Sequence, residues 1–154
     1  MTKLNTTTNH LAVRIKARNP KTVPFFGHFK TTYPEIGEVN LAFTADVYAY
    51  VGSPLCLHLW SQKSEEGGAY FEPFTDLTKN IRPNECENGE IIVKAYEENE
   101  PLRKPLLDLG YFEDTGKRIP GGFVEFEIWR VTQKFEEAFS TVHPSLEEAM
   151  KKRN

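Results

Sequence analysis

The chain is 154 residues long, with 39% hydrophobic and 12% aromatic residues, two cysteines and a net charge of -3. That size and apolar content suit one domain with a real core and exclude wholesale disorder. No apolar run approaches the roughly 20 residues that span a bilayer, two cysteines are too few for a disulfide framework, and the small net charge implies no partner by itself.

Residues 1–9 are polar and Thr/Asn-rich, without periodicity, and are expected to be disordered. They hold no apolar signal core, so export is not expected and a reducing cytoplasm fits the chain. Leu11, Val13 and Ile15 alternate with Ala12, Arg14 and Lys16, which predicts a short edge strand. Pro20, Pro24, Gly27 and Pro34 punctuate residues 19–38, an expected loop that carries Phe25, Phe26, Phe29 and Tyr33. From Val39 to Val51 every second residue is apolar, a strand with one buried face. Gly52-Ser53-Pro54 turns the chain, and Leu55, Leu57 and Leu59 resume the alternation, so residues 39–61 read as an antiparallel hairpin.

After the turn Ser64-Glu65-Glu66-Gly67-Gly68, residues 69–81 read as a third strand, bulged near Pro73. Ile91, Ile92 and Val93 begin a short strand. Asn99 can cap a helix from Glu100 to Leu109, with Pro101 in its first turn and Gly110 as its stop. A turn-rich connector, Gly110 to Arg118, leads to a last strand over 123–131, where Val124, Phe126 and Ile128 alternate with Glu125 and Glu127. Gln133–Ser140 and Ser145–Lys152 read as helices broken near Pro144, and Ser145 with Glu148 forms a capping box.

The candidate chemistry is sparse. Cys56 and His58 share one face of a strand, the arrangement of a metal pair or of a nucleophile with its base. No further ligand lies at metal spacing, there is no nucleophile elbow, and a packed Cys-His-Trp face with Trp60 is the expectation. Glu65-Glu66, Glu97-Glu98 and Glu113-Asp114 read as solvated turn surface. Pro120-Gly121-Gly122 after Lys117-Arg118 could cradle phosphate, but it leads into a strand where phosphate loops lead into a helix. No metal, cofactor or catalytic residue is therefore expected, and the chain reads as a non-enzyme.

Charge is unevenly placed. Residues 1–35 carry six Lys/Arg and one acid, and residues 64–100 carry ten acids and three Lys/Arg. One interface that follows is an acidic patch of Glu85, Glu87, Glu90, Glu97, Glu98 and Glu100, which would enter a basic groove as phosphate mimics. The alternative is a nucleic-acid surface in which Arg14, Lys16, Arg18, Lys21 and Lys30 neutralise phosphates and Phe25 and Phe26 stack on bases.

Residues 47–131 resemble an uncharacterised bacterial family of small proteins, a domain of unknown function carried on plasmids, conjugative elements and phages. The likeness rests on a hairpin followed by Glu72-Pro73-Phe74-Thr75-Asp76-Leu77-Thr78-Lys79-Asn80-Ile81, a small helix ending in Leu109-Gly110, then Thr115-Gly116-Lys117-Arg118 and an aromatic-rich strand. The resemblance implies no activity and no catalytic residues. It implies an accessory factor of a mobile element or phage that binds a host protein, such as an inhibitor of a CRISPR nuclease or other defence system.

Together these readings predict one α+β domain: an antiparallel sheet of about five strands, covered on one side by a short helix and C-terminal helical segments. Its expected parts are an N-terminal arm and aromatic loop over 1–38, a core over 39–131 and a helical tail over 132–154.

Overall fold

A computed structural model describes residues 6–18, 23–47, 55–81, 85–87 and 89–153. The chain runs α1 (Thr6–Ala17), β1 (Phe26–Tyr33), β2 (Gly37–Val47), β3 (Leu55–Glu65), β4 (Gly68–Asp76), β5 (Glu90–Val93), a 3-10 helix (Glu97–Leu102), α2 (Arg103–Asp108), β6 (Phe112–Gly121), β7 (Val124–Val131), α3 (Gln133–Ser140) and α4 (Leu146–Arg153). The class is α+β, and the seven strands divide into two antiparallel sheets, ordered β1-β2-β3-β4 and β5-β7-β6. No described helix is long and apolar enough to cross a membrane.

The alternating residues do what their period demands. Val39, Leu41, Phe43 and Ala45 of β2 and Leu55, Leu57 and Leu59 of β3 are buried on one face of the first sheet. They meet Ile91, Val93, Phe112 and Trp129 of the second sheet in one core, which α1 enters with Leu11 and Ile15 and α3 with Phe135 and Phe139. Segments expected as arm and tail thus share the core of the residues between them. The other face of the second sheet holds Ile92, Ile119, Phe126 and Ile128, covered by Ile81, Cys86 and Tyr96.

Several segments differ from expectation: residues 6–9, expected to be disordered, open α1, and the expected connector before the last strand is β6. Residues 11–16 belong to a helix, because Leu11 and Ile15, four apart, bury one face beside Arg14, and five residues fit both periods. Within the expected loop, Phe26 to Tyr33 pairs with β2, and Gly27 at φ +63° lets the strand bulge between Phe26 and Phe29.

The chain crosses between sheets after β4. The Leu77 N–H donates to the Leu57 carbonyl and the Lys94 N–H to the Leu77 carbonyl, while Thr78 bridges Val93. Asn99, 1% exposed, pins this crossing. Its Nδ2 donates to the carbonyls of Asp76 (3.1 Å) and Lys94 (2.9 Å), and its Oδ1 accepts from Thr75 Oγ1 at 2.8 Å. The residue expected to cap a helix is instead a staple, and Tyr96 precedes the 3-10 turn.

Candidate functional site

The outer face of the first sheet follows from the same alternation that builds the core. With Leu55, Leu57 and Leu59 directed inward, Cys56, His58 and Trp60 point outward, half-buried. Register sets Thr44 beside His58, Asp46 beside Cys56 and Ala42 beside Trp60. On the other flank Asp76 pairs with His58.

The geometry there is specific. Cys56 Sγ lies 3.2 Å from His58 Nε2, and His58 Nδ1 lies 2.6 Å from Asp76 Oδ1. The hydrogen bond to Cys56 contributes most to raising the His58 pKa to about 9; partial burial opposes the charge, and Asp76 adds to it. The imidazole is therefore cationic at neutral pH. Trp60 Nε1 donates to Thr44 Oγ1 at 2.8 Å, which fixes the indole. Phe25 lies across it, stacked on Phe71 with centroids 3.8 Å apart and edge-on to Trp60 at 5.6 Å. A concavity of about 190 Å³ opens between His58, Trp60, Pro73, Phe74 and Asp76. Exposed carboxylates flank the face at Asp46, paired with Cys56, and at Asp76, paired with His58, whereas Glu72 and Lys63, 3.7 Å apart, lie on the opposite face.

Asp76 escaped the sequence reading, although the turn carries a signal. A tight turn at Glu66-Gly67 sets Glu65 against Gly68 and would bring Thr75 opposite His58. The extra residue at the bulge beside Pro73 shifts the register by one and brings Asp76 there instead.

Of the six acids expected in the acidic patch, Glu85, Glu87, Glu97, Glu98 and Glu100 are exposed and Glu90 is not. Glu90 is buried; its Oε1 is 2.7 Å from Lys117 Nζ and its Oε2 3.2 Å from Arg130 Nη2. Burial opposes its charge, but the Glu87 N–H and Lys117 outweigh that and hold its carboxyl below the usual range. A carboxylate enclosed by cations cannot mimic phosphate for a partner. Glu87 also leans on Lys117, and Glu98 pairs with Lys94.

The basic arm is corrected in the same way. Arg14, 4% exposed, donates from Nε to the Pro144 carbonyl at 2.6 Å and from Nη2 to Ser140 Oγ, and it lies over the Phe139 ring at 4.8 Å. Phe26 is 1% exposed among Phe43, Phe135 and Phe139. Both were read as nucleic-acid contacts, and both serve the core. Lys16 and Lys30 are exposed, Arg18 is half-buried and Lys21 lies outside the described residues. Among the described residues no group of three metal-ligating side chains could hold an ion.

No protein-family model matches the chain, and no match is found among curated proteins or solved structures.

Proposed function

We propose that the chain is a protein-binding accessory factor whose contact surface is the outer face of the first sheet. The observation that carries this reading is the Phe25–Phe71–Trp60 cluster, half-buried on the outer sheet face. Aromatic residues held rigid at a surface anchor interfaces well, since little conformational entropy is lost when they are covered. The acidic groups on this face select the occupant: a protein with an apolar anchor beside basic side chains, the electrostatic complement of Asp46 and Asp76. Motif order adds the context of a mobile element or phage and a host protein as partner. A defence nuclease, with its basic groove, belongs to that partner class.

The test is affinity capture of the tagged chain from a bacterial host lysate, with and without nuclease, beside Trp60→Ala and Phe71→Ala variants. The reading requires a stoichiometric protein partner that survives nuclease and is lost with either variant. A partner kept by both variants, or one released by nuclease, overturns it.

A further inference from the structure

We propose that Cys56, His58 and Asp76 form a nucleophilic centre on this face that takes an acyl group from a small neutral or cationic ester or thioester. The inference goes beyond binding and does not need it. It is independent of any sequence motif, because Asp76 arrives only through the β4 bulge.

Covalent catalysis by a thiol needs a nucleophile, a base within hydrogen-bond reach and a group that orients the base. All three are present in line: Sγ to Nε2 at 3.2 Å and Nδ1 to Oδ1 at 2.6 Å. The Asp76 bond fixes which ring nitrogen faces the sulfur. The centre is open to substrate, with the His58 side chain 36% and the Asp76 side chain 64% exposed. Cys86 offers a contrast within the same chain. Burial and then Glu90 push its thiol up to about 12.

In the reaction, Sγ attacks the carbonyl carbon to form a C–S bond. The tetrahedral adduct then breaks the C–O or C–S bond to the leaving group, which takes the proton from Nε2. Water attacks the resulting thioester and gives a proton to Nε2, the acid departs and the Cys56–His58 pair is restored. The concavity of about 190 Å³, lined by His58, Trp60, Pro73 and Asp76 and adjoining Cys56 only through His58, leaves room for a small or flat group. The Asp76 carboxylate disfavours anionic substrates.

The full chain is treated with iodoacetamide at pH 6.5 and pH 10, and separately with p-nitrophenyl acetate, and both products are mapped by mass spectrometry. We expect Cys56 to be alkylated before Cys86 at pH 6.5. His58→Gln and Asp76→Asn should each slow that step about tenfold or more, with little effect at pH 10. We also expect acetyl on Cys56 and a nitrophenolate burst that Cys56→Ser abolishes. Equal rates at pH 6.5 in the chain and in His58→Gln overturn the proposal, as does acetylation elsewhere with none at Cys56. Circular dichroism establishes that each variant is folded, which its place on an outer face favours. Trp60→Ala capture results do not bear on this outcome, so the two readings fail separately.

Discussion

Arg14 reaches across 130 residues of sequence to the Pro144 carbonyl, with its Nε 2.6 Å from that oxygen, and so ties the first helix to the turn between the last two. A cation at this depth is tolerated because Ser140 and Pro144 accept its hydrogen bonds and the Phe139 ring lies under its plane. Arg14→Met should therefore lower stability by about 1.5–3 kcal/mol, the range for hydrogen bonds to a charged group. Urea unfolding at pH 7 checks this. Fluorescence anisotropy on single-stranded oligonucleotide should show the same affinity for variant and parent. A loss of binding without a loss of stability would return Arg14 to the nucleic-acid surface.

Glu90 links stability to pH. Its folded pKa lies below the ordinary carboxyl value of 4.5, so the ionised form is favoured by folding. The contribution is complete above the unfolded value and disappears as pH falls through the lowered folded one. Glu90→Gln should cost roughly 1–3 kcal/mol at pH 7, and below about pH 4.5 the variant's stability should fall less steeply than the parent's. Urea midpoints across pH 3 to 7 give the comparison; parallel curves would contradict the assignment.

His143 acts in a different window. It is 1% exposed, stacked on Phe139 at 4.2 Å, and neither ring nitrogen makes a hydrogen bond of ordinary geometry to a described residue. Burial, then Arg18 and Arg14, lower its pKa from 6.5 to about 4. Because the unfolded chain protonates first, stability is full above about 6.5, declines as pH falls, and levels near 4. His143→Phe removes both ring nitrogens and the titration. We expect higher stability at pH 7, with an advantage that grows by on the order of 2 kcal/mol by pH 5. A constant difference between pH 7 and pH 5 would refute the linkage.

The bulge in β1 rests on Gly27. At φ +63° an L side chain is strained, and a Cβ there would lie 2.9 Å from Phe43 Cδ2 and 3.1 Å from Tyr111 Cε2. Gly27→Ala should lower stability by about 1–3 kcal/mol and shift the thermal midpoint downward accordingly. A midpoint unchanged within error would mean that the strand enters without the bulge.

Strands and helices were legible where one period ran long. The β2–β3 hairpin, β5, β7, α3 and α4 all lie where alternation or capping put them; the Glu148 N–H donates to Ser145 Oγ as a cap requires, and the Ser145 hydroxyl in turn donates to Glu148 Oε1. Short segments were ambiguous. Leu11 to Ile15 is too brief to separate a period of two from one of 3.6, and the prolines near β1 concealed an edge strand beside Phe25. The connector before the last strand became β6 because its Gly116 marks an irregularity within the ladder, between Asp114 and Arg118. The candidate site was half legible. Cys56 and His58 share a face by spacing alone, whereas Asp76 depends on one inserted residue that no period reveals. The charge clusters misled for a related reason. Linear density does not tell which ions face each other, and Glu90 meets Lys117 and Arg130 only after β5, β6 and β7 pair.

Asp76 belongs to two worlds at once. Its carboxylate steadies His58 on the outside, and its carbonyl receives the Asn99 amide that fastens the crossing between sheets. One residue therefore joins the outer surface to the seam of the molecule. An occupant that tugs on that carboxylate also loads the staple, so the Asn99 side-chain amide becomes a built-in gauge of occupancy, readable by its NMR shift from inside the protein.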